Sequence, residues 1–277
     1  MSLLLCEGKD GGPDARLLKK LLAGRCRIQP AGSKHGMGDR ISARRETLGA
    51  DRVFGLIDGG FLDTWCAPSG RPRSWEIANG AEPVRLGWRW ERVEIENYLV
   101  DPAVVCRALR LSSIRGDQYR ELLEAARTRI ATYQAARTAL AASRIRSRPL
   151  PSAFGRPRGK MRHDFPDRLD YSACREGIRN LVAQHDQSQT VGLQDVERRF
   201  EDYLPEFVEE GRRRVDYLIA FAGKDLVWAM HESLTKLEYG GAAVFLERVL
   251  VGIEKTIEDV ANWLPEWVAL RIAVDQS

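Results

Sequence analysis

Two short apolar runs, each stopped by a carboxylate and a glycine, constrain this chain more than anything else in it. Leu3-Leu4-Leu5-Cys6 ends at Glu7-Gly8, and Val53-Phe54-Gly55-Leu56-Ile57 ends at Asp58-Gly59-Gly60. Runs of this kind lack the alternation of a half-exposed strand and fit parallel strands covered on both faces. Ligands of such sheets collect beyond the carboxyl ends of the strands, so Glu7 and Asp58 are expected to meet there. Two carboxylates at one strand edge are the usual beginning of a Mg2+ site.

The segments around these runs complete a β-α-β-α-β order. Ala15 to Leu22 carries leucines at helical spacing, with Asp14 as the expected N-cap. Cys26 to Gln29 reads as a strand that ends in the turn Pro30-Ala31-Gly32-Ser33-Lys34, and Gly38 to Leu48 reads as a helix closed by Gly49. This order predicts a largely parallel sheet with right-handed crossovers. Between Phe61 and Arg92 the chain breaks into Pro and Gly with interleaved Trp65, Trp75, Trp88 and Trp90. Arg85 to Trp90 reads as a strand, and Ala67 to Arg73 as an exposed loop beside the site. Two readings stand here: Arg71, Arg73 and Trp65 hold a nucleic-acid strand by charge and stacking, or the tryptophans pack a sheet edge.

The second half is helical. Asp101-Pro102 is a helix start, and Asp117 to Arg144 is rich in Ala, Leu, Arg and Glu, without Pro or Gly. A helix of that length is expected to pack on another of its kind, part of it serving a partner or a second copy. A basic stretch follows, Arg144, Arg146, Arg148, Arg156, Arg158, Lys160 and Arg162, with no acidic residue before Asp164. It reads as a flexible loop over about residues 144–163, suited to phosphate contacts that read no sequence, or as a solvated linker. From Val191 to Ala273 helices are expected again, broken at Pro205, Gly211, Gly240-Gly241 and Pro265, with Tyr217, Phe221, Leu226, Val227 and Trp228 as core faces around a helix start at Gly223-Lys224.

Glu7-Gly8, the downstream Asp14, the turn from Pro30 to Lys34, the strand-terminal Asp58, the segment Glu94-Ile95-Glu96-Asn97-Tyr98-Leu99 and Gly223-Lys224-Asp225-Leu226 together resemble the TOPRIM nucleases of the OLD type. Within these they resemble the DUF4435 group, which includes the TOPRIM effector of the PARIS anti-phage system. The resemblance implies a Rossmann-like TOPRIM domain over residues 1–100 and a mainly α-helical domain over residues 101–277. It also implies a nuclease dependent on Mg2+ or Mn2+, with a separate ABC/OLD-type ATPase as partner; the helical half is expected to serve substrate binding, assembly of a homodimer or docking. Glu7 is then the first ligand or the general base and Asp58 the central ligand. Lys34 is a phosphate contact, Lys224 a marked position in the nucleic-acid site, and Glu94 and Glu96 an acidic pair. If that pair is extended both carboxylates share a face, and if it is helical only one reaches the metal.

The chain departs from the family at Gly60, where an Asp is common, and in the three extra residues Gly11-Gly12-Pro13 before Asp14. Either Asp63 joins Glu7, Asp58 and Glu96 as a ligand, or one metal suffices, or the chain is a degenerate TOPRIM-like subunit that binds nucleic acid or a partner without cutting. Composition narrows the field further. Five scattered cysteines with no CxxC pair argue against structural zinc and for a reduced cytoplasm, and the four histidines lack ligand spacing. No targeting signal, membrane-length apolar run or Walker A motif is expected. A net charge of +4 leaves any basic surface to local clustering.

Overall fold

The computed structural model describes residues 2–32, 36–49, 52–61, 64–79, 82–143, 156–158, 162–164, 168, 170–188, 190–208 and 210–277. It is an α/β structure with a five-stranded, mostly parallel sheet. The strands are β1 (Ser2–Cys6), β2 (Cys26–Pro30), β3 (Val53–Ile57), β4 (Arg73–Asn79) and β5 (Glu82–Arg89), in the order β2-β1-β3-β5-β4. All neighbours are parallel except β4, which runs antiparallel to β5 at the edge. The carboxyl ends of β1, β2, β3 and β5 therefore share one edge with the start of β4.

Helix α1 (Pro13–Leu21) buries Ala15, Leu17, Leu18 and Leu21 on one face of the sheet, and α2 (Met37–Leu48) lays Met37 and Ile41 on the other. The α2 face holds a small core of Leu3, Leu5, Val53, Ile57 and Leu86, against which Trp75 packs. The α1 face opens into a single large cluster that runs from Leu4 and Leu56 through Trp88, Trp90, Tyr98 and Tyr119 to Phe245 and Trp267. The alternation of Leu3 and Leu5 with Leu4 and Cys6 between the two cores is the pleat of a strand covered on both sides.

The helical part consists of α3 (Glu96–Leu99), α4 (Pro102–Ala108), α5 (Ser113–Ala142), α6 (Tyr171–Ser188), α7 (Leu193–Phe207), α8 (Arg212–Val215), α9 (Tyr217–Ala220), α10 (Gly223–Ala229), α11 (His231–Lys236), α12 (Ala242–Lys255) and α13 (Pro265–Asp275). Asp101 caps α4 by accepting from the Ala103 N–H at 2.8 Å, with Pro102 at the first position. The partner of the long α5 lies within the chain, since it packs along α7 and α10. Glu266, at the start of α13, accepts from the Glu91 N–H at 2.7 Å and the Tyr98 hydroxyl at 2.5 Å, fastening α13 to the residues that follow β5.

Several expectations are corrected. The segment from Arg73 is a strand, because Trp75 reaches the α2-face core while Ser74 and Glu76 stay outside. Of the two readings of the tryptophans, packing holds for Trp88 and Trp90, which are core residues, and Trp65 is half-buried against the main core with Arg213 over its ring. Pro205 falls inside α7, whose last turn continues to Phe207. Trp228 is 60 % exposed and stacks on His231, outside the core. In the basic stretch, Arg156–Arg158 and Arg162–Asp164 form two short antiparallel strands, β6 and β7, where a loop was expected. Helix α6 had no counterpart in the sequence reading.

Candidate functional site

The site is built at the carboxyl edge by a continuation of the ladder beyond β3. The Gly59 N–H donates to the Arg92 carbonyl at 3.0 Å and the Gly60 N–H to the Val93 carbonyl at 2.8 Å. A Cβ at position 59 would lie 2.3 Å from the Arg92 oxygen, so only glycine allows this approach. Gly60 takes a left-handed φ of 65°, a conformation that residues with a side chain adopt rarely. The pairing of residues 59–60 with 92–93 brings the Glu94 segment alongside Asp58.

Asn97 fixes that segment from within. It is fully buried, its Oδ1 accepts from the N–H groups of Glu94 (3.1 Å) and Gly223 (3.0 Å), and its Nδ2 donates to the carbonyls of Leu218 (3.0 Å) and Phe221 (2.7 Å). One amide thereby ties the acidic turn to the start of α10. Gly223 makes the contact possible, since a Cβ there would meet the Asn97 nitrogen at 2.3 Å. Arg92 braces the same turn by donating to the Asn97 carbonyl at 2.9 Å and pairing with Asp101 at 2.7 Å.

Glu94 and Glu96 resolve their sequence ambiguity in a way neither alternative described. Glu94 lies in the bend before α3 and Glu96 opens the helix, yet both carboxylates reach the Lys224 ammonium, at 3.2 and 2.9 Å. The Lys224 N–H also donates to Glu94 at 2.6 Å. Burial pushes the Glu94 carboxyl up, with Lys224 acting against it and Glu96 adding to the rise. Lys224 is not a bare surface lysine; its charge is engaged by the acidic pair.

Asp58 and Glu7 meet as expected, though not side chain to side chain. Glu7 Oε1 accepts from the Asp58 N–H at 3.0 Å. The Asp58 Oδ1 is buried without a hydrogen-bond partner among the described residues. Burial, then Asp14, Glu7, Glu96 and Glu94, pushes the Asp58 carboxyl up to about 9.

Asp14 belongs to this group, which corrects its reading as an N-cap. Gly12 is the N-cap of α1 without a side-chain bond, Pro13 starts the helix, and Asp14 sits in the first turn. The three extra residues are absorbed in a turn where Gly11 has a φ of 77°, and the Asp14 carboxylate folds back over Gly8, whose Cβ position is 3.3 Å from its Oδ2. Burial, followed by the charges of Glu96 and Glu7, pushes it up to about 7. The signal available in sequence was the resemblance itself, which includes a downstream Asp; the capping preference of Asp masked it.

These five carboxylates are oxygen donors of the kind a hard divalent cation takes, and one buried oxygen lacks any partner, so the donor set fits Mg2+ or Mn2+ in chemistry. Among the described residues, however, no three acidic, His or Cys groups stand close enough around one point to ligate a metal. The expected set of Glu7, Asp58, Glu96 and Asp63 is therefore not seen to converge among the described residues. Glu7 is engaged at the Asp58 backbone, Glu96 is engaged by Lys224, and Asp63 lies outside the described residues. Lys34, Arg144, Arg146, Arg148 and Lys160 also lie outside them. Arg156, Arg158 and Arg162 are described only as backbone in β6 and β7.

No protein-family model matches the chain, and no curated protein is significantly similar to it. Among the described residues no helix is long and apolar enough to cross a membrane.

Proposed function

We propose that the chain is a nuclease of the TOPRIM type, dependent on Mg2+ or Mn2+. In this reading it is the toxic effector of an anti-phage, abortive-infection system, acting in the cytoplasm and held silent by a separate ATPase. The observation that carries the reading is the gathering of Glu7, Asp14, Asp58, Glu94 and Glu96 at one strand edge, with the Asp58 Oδ1 buried and unpartnered. Burial, with the charges of Asp14, Glu7, Glu96 and Glu94 adding to it, pushes the Asp58 carboxyl up, a cost in a purely structural site and an advantage in one that receives a cation. Asp58, Glu7 and Glu96 would have to draw together, with Lys224 released from Glu96, to hold the metal, which when bound supplies Lewis-acid polarisation of a phosphate and activation of water.

The chain's own groups have separable tasks. Glu7 uses one oxygen to fix the Asp58 backbone and keeps the other without a hydrogen bond among the described residues, placed to take a proton from water. Lys224 neutralises Glu94 and Glu96 and would offer its charge to a phosphate oxygen when released from them. The arginines of β6 and β7, with the basic residues that flank them, serve as contacts to the phosphate backbone of DNA or RNA.

A degenerate, non-cutting subunit is the second reading, favoured by the absence of three converging donors among the described residues. Cleavage of duplex DNA, single-stranded DNA and total RNA with Mg2+, Mn2+ or EDTA, beside Glu7→Gln, decides between them. Glu7→Gln keeps the acceptor for the Asp58 N–H, so the variant is expected to fold and to lose cutting. Metal-dependent cleavage that persists in the variant would sink the role of Glu7. No cleavage by the wild-type chain, alone or co-expressed with a candidate ATPase, would leave the binding reading in place.

A further inference from the structure

Arg73 and Arg89 stand directly opposite each other across the β4–β5 ladder. Opposed residues of an antiparallel pair project from the same face, and like charges in that arrangement repel. Among the described residues neither guanidinium makes a hydrogen bond or an ion pair, and Arg73 Nη2 is buried without a partner. Three other half-buried or buried arginines hold a carboxylate: Arg16 holds Glu254, Arg92 holds Asp101 and Arg213 holds Glu206. The pair is thus a double positive charge with no hydrogen-bonded or ion-paired counter-charge among the described residues.

Its position relates it to the acidic group. Arg89 is in register with Ile57, one residue before Asp58, and Ile57 lies on the α2 face with Leu3 and Leu5. Glu7 is the next residue in the alternation of Leu3 and Leu5. Burial and Arg73 hold the Arg89 guanidinium below its ordinary value, while Glu7 acts in the opposite direction. Acidic and basic groups therefore adjoin at Glu7, with Asp58, Asp14 and Lys224 on one side and the arginine pair on the other.

We propose that Arg73 and Arg89 form a seat for a phosphate group of a nucleic-acid strand, adjacent to the phosphate presented to Glu7 and Asp58. Two guanidinium forks borne by opposed residues on one face of the ladder can match the oxygens of a phosphate, and planar donors lose little freedom on binding. The anion-binding part stands on the arginines alone, and the assignment to a nucleic-acid strand rests on the nuclease reading.

The test uses the full chain in EDTA. Thermal unfolding is followed in potassium phosphate and in potassium chloride of equal ionic strength, for the wild type, Arg73→Gln, Arg89→Gln and Arg175→Gln, the last an exposed α6 arginine that controls for lost charge. Phosphate is expected to raise the unfolding temperature of the wild type and Arg175→Gln and to leave the two seat variants unmoved. In chloride, Arg89→Gln is expected to unfold no earlier than the wild type, because it relieves Arg73 of a like-charged neighbour. A purely structural arginine would give the reverse. A wild type indifferent to phosphate, or seat variants that keep the response, would overturn the proposal.

A second arm measures anisotropy of a fluorescein-labelled single-stranded oligonucleotide against salt. Each seat variant is expected to bind about tenfold more weakly, with the slope of log K against log salt reduced by about 0.7. An oligonucleotide bound equally by all chains would overturn the nucleic-acid source even if free phosphate binds. Failure of the nuclease reading looks different: no metal-dependent cleavage by the wild type, with both arginine responses intact.

Discussion

Replacing Asp58 by Asn should change how stability depends on pH, and the size of the change follows from the site. The Asp58 carboxyl is pushed from an ordinary value of 3.8 up to about 9, first by burial and then by Asp14, Glu7, Glu96 and Glu94. Between those values the folded chain keeps a proton that the unfolded chain has released. Stability therefore falls as pH rises through the window, by ~1.36 kcal/mol per pH unit. From pH 5 to pH 8 the wild type is expected to lose about 4 kcal/mol relative to Asp58→Asn, which has no such proton to lose. Asp14 adds its own slope up to about 7 in both chains, so the difference between them isolates Asp58. Urea unfolding at several pH values, in a reducing buffer with EDTA, measures it. Saturating Mg2+ should flatten the wild-type slope, since a bound cation replaces the proton. Parallel pH curves for the two chains in EDTA would show that Asp58 is not held protonated, and the argument for a cation-receiving cluster would lose its basis.

Asn97→Ala should destabilise by about 3 kcal/mol in urea unfolding, because it strands two backbone donors and two acceptors between the acidic turn and α10. Gly223→Ala should cost about 2 kcal/mol or more by the same measurement, since its Cβ meets backbone rather than a flexible side chain. Lys224→Met leaves two mostly buried carboxylates facing each other. With the ammonium itself about half exposed, a loss of about 2 kcal/mol is expected, largely restored by adding Glu94→Gln and Glu96→Gln.

The sheet was legible because its strands carry their own evidence. The runs ending at Glu7 and Asp58 are too apolar for anything but two covered faces, and Gly49 and Asp101-Pro102 mark helix boundaries by backbone chemistry that context seldom overrides. What escaped depended on contacts distant in sequence. Strand β4 hides in a Pro- and Gly-rich stretch because a single tryptophan, Trp75, supplies most of its buried side. Asp14 looked like a cap because capping is a local preference, while its burial comes from the return of the chain over Gly8. The partners of Lys224 lie about 130 residues away on the chain, and no local pattern announces them.

Gly60 then takes on a different meaning. A carboxylate there would have to sit on a residue with a left-handed φ of 65°, in a stretch whose neighbour Gly59 cannot carry a Cβ at all. The loop after β3 is instead specialised for close approach, and what it gains is the pairing that delivers Glu94 and Glu96. Asp14 arrives from α1. The number of acidic groups around Asp58 is thus maintained by elements on either side of β3 rather than by the loop that follows it. Lys224 restrains part of their repulsion until something more highly charged displaces it. On the proposed reading a divalent cation would have to take the place of the ammonium beside Glu94 and Glu96, and Asp58, whose Oδ1 has no hydrogen-bond partner among the described residues, is the carboxyl that should register it first.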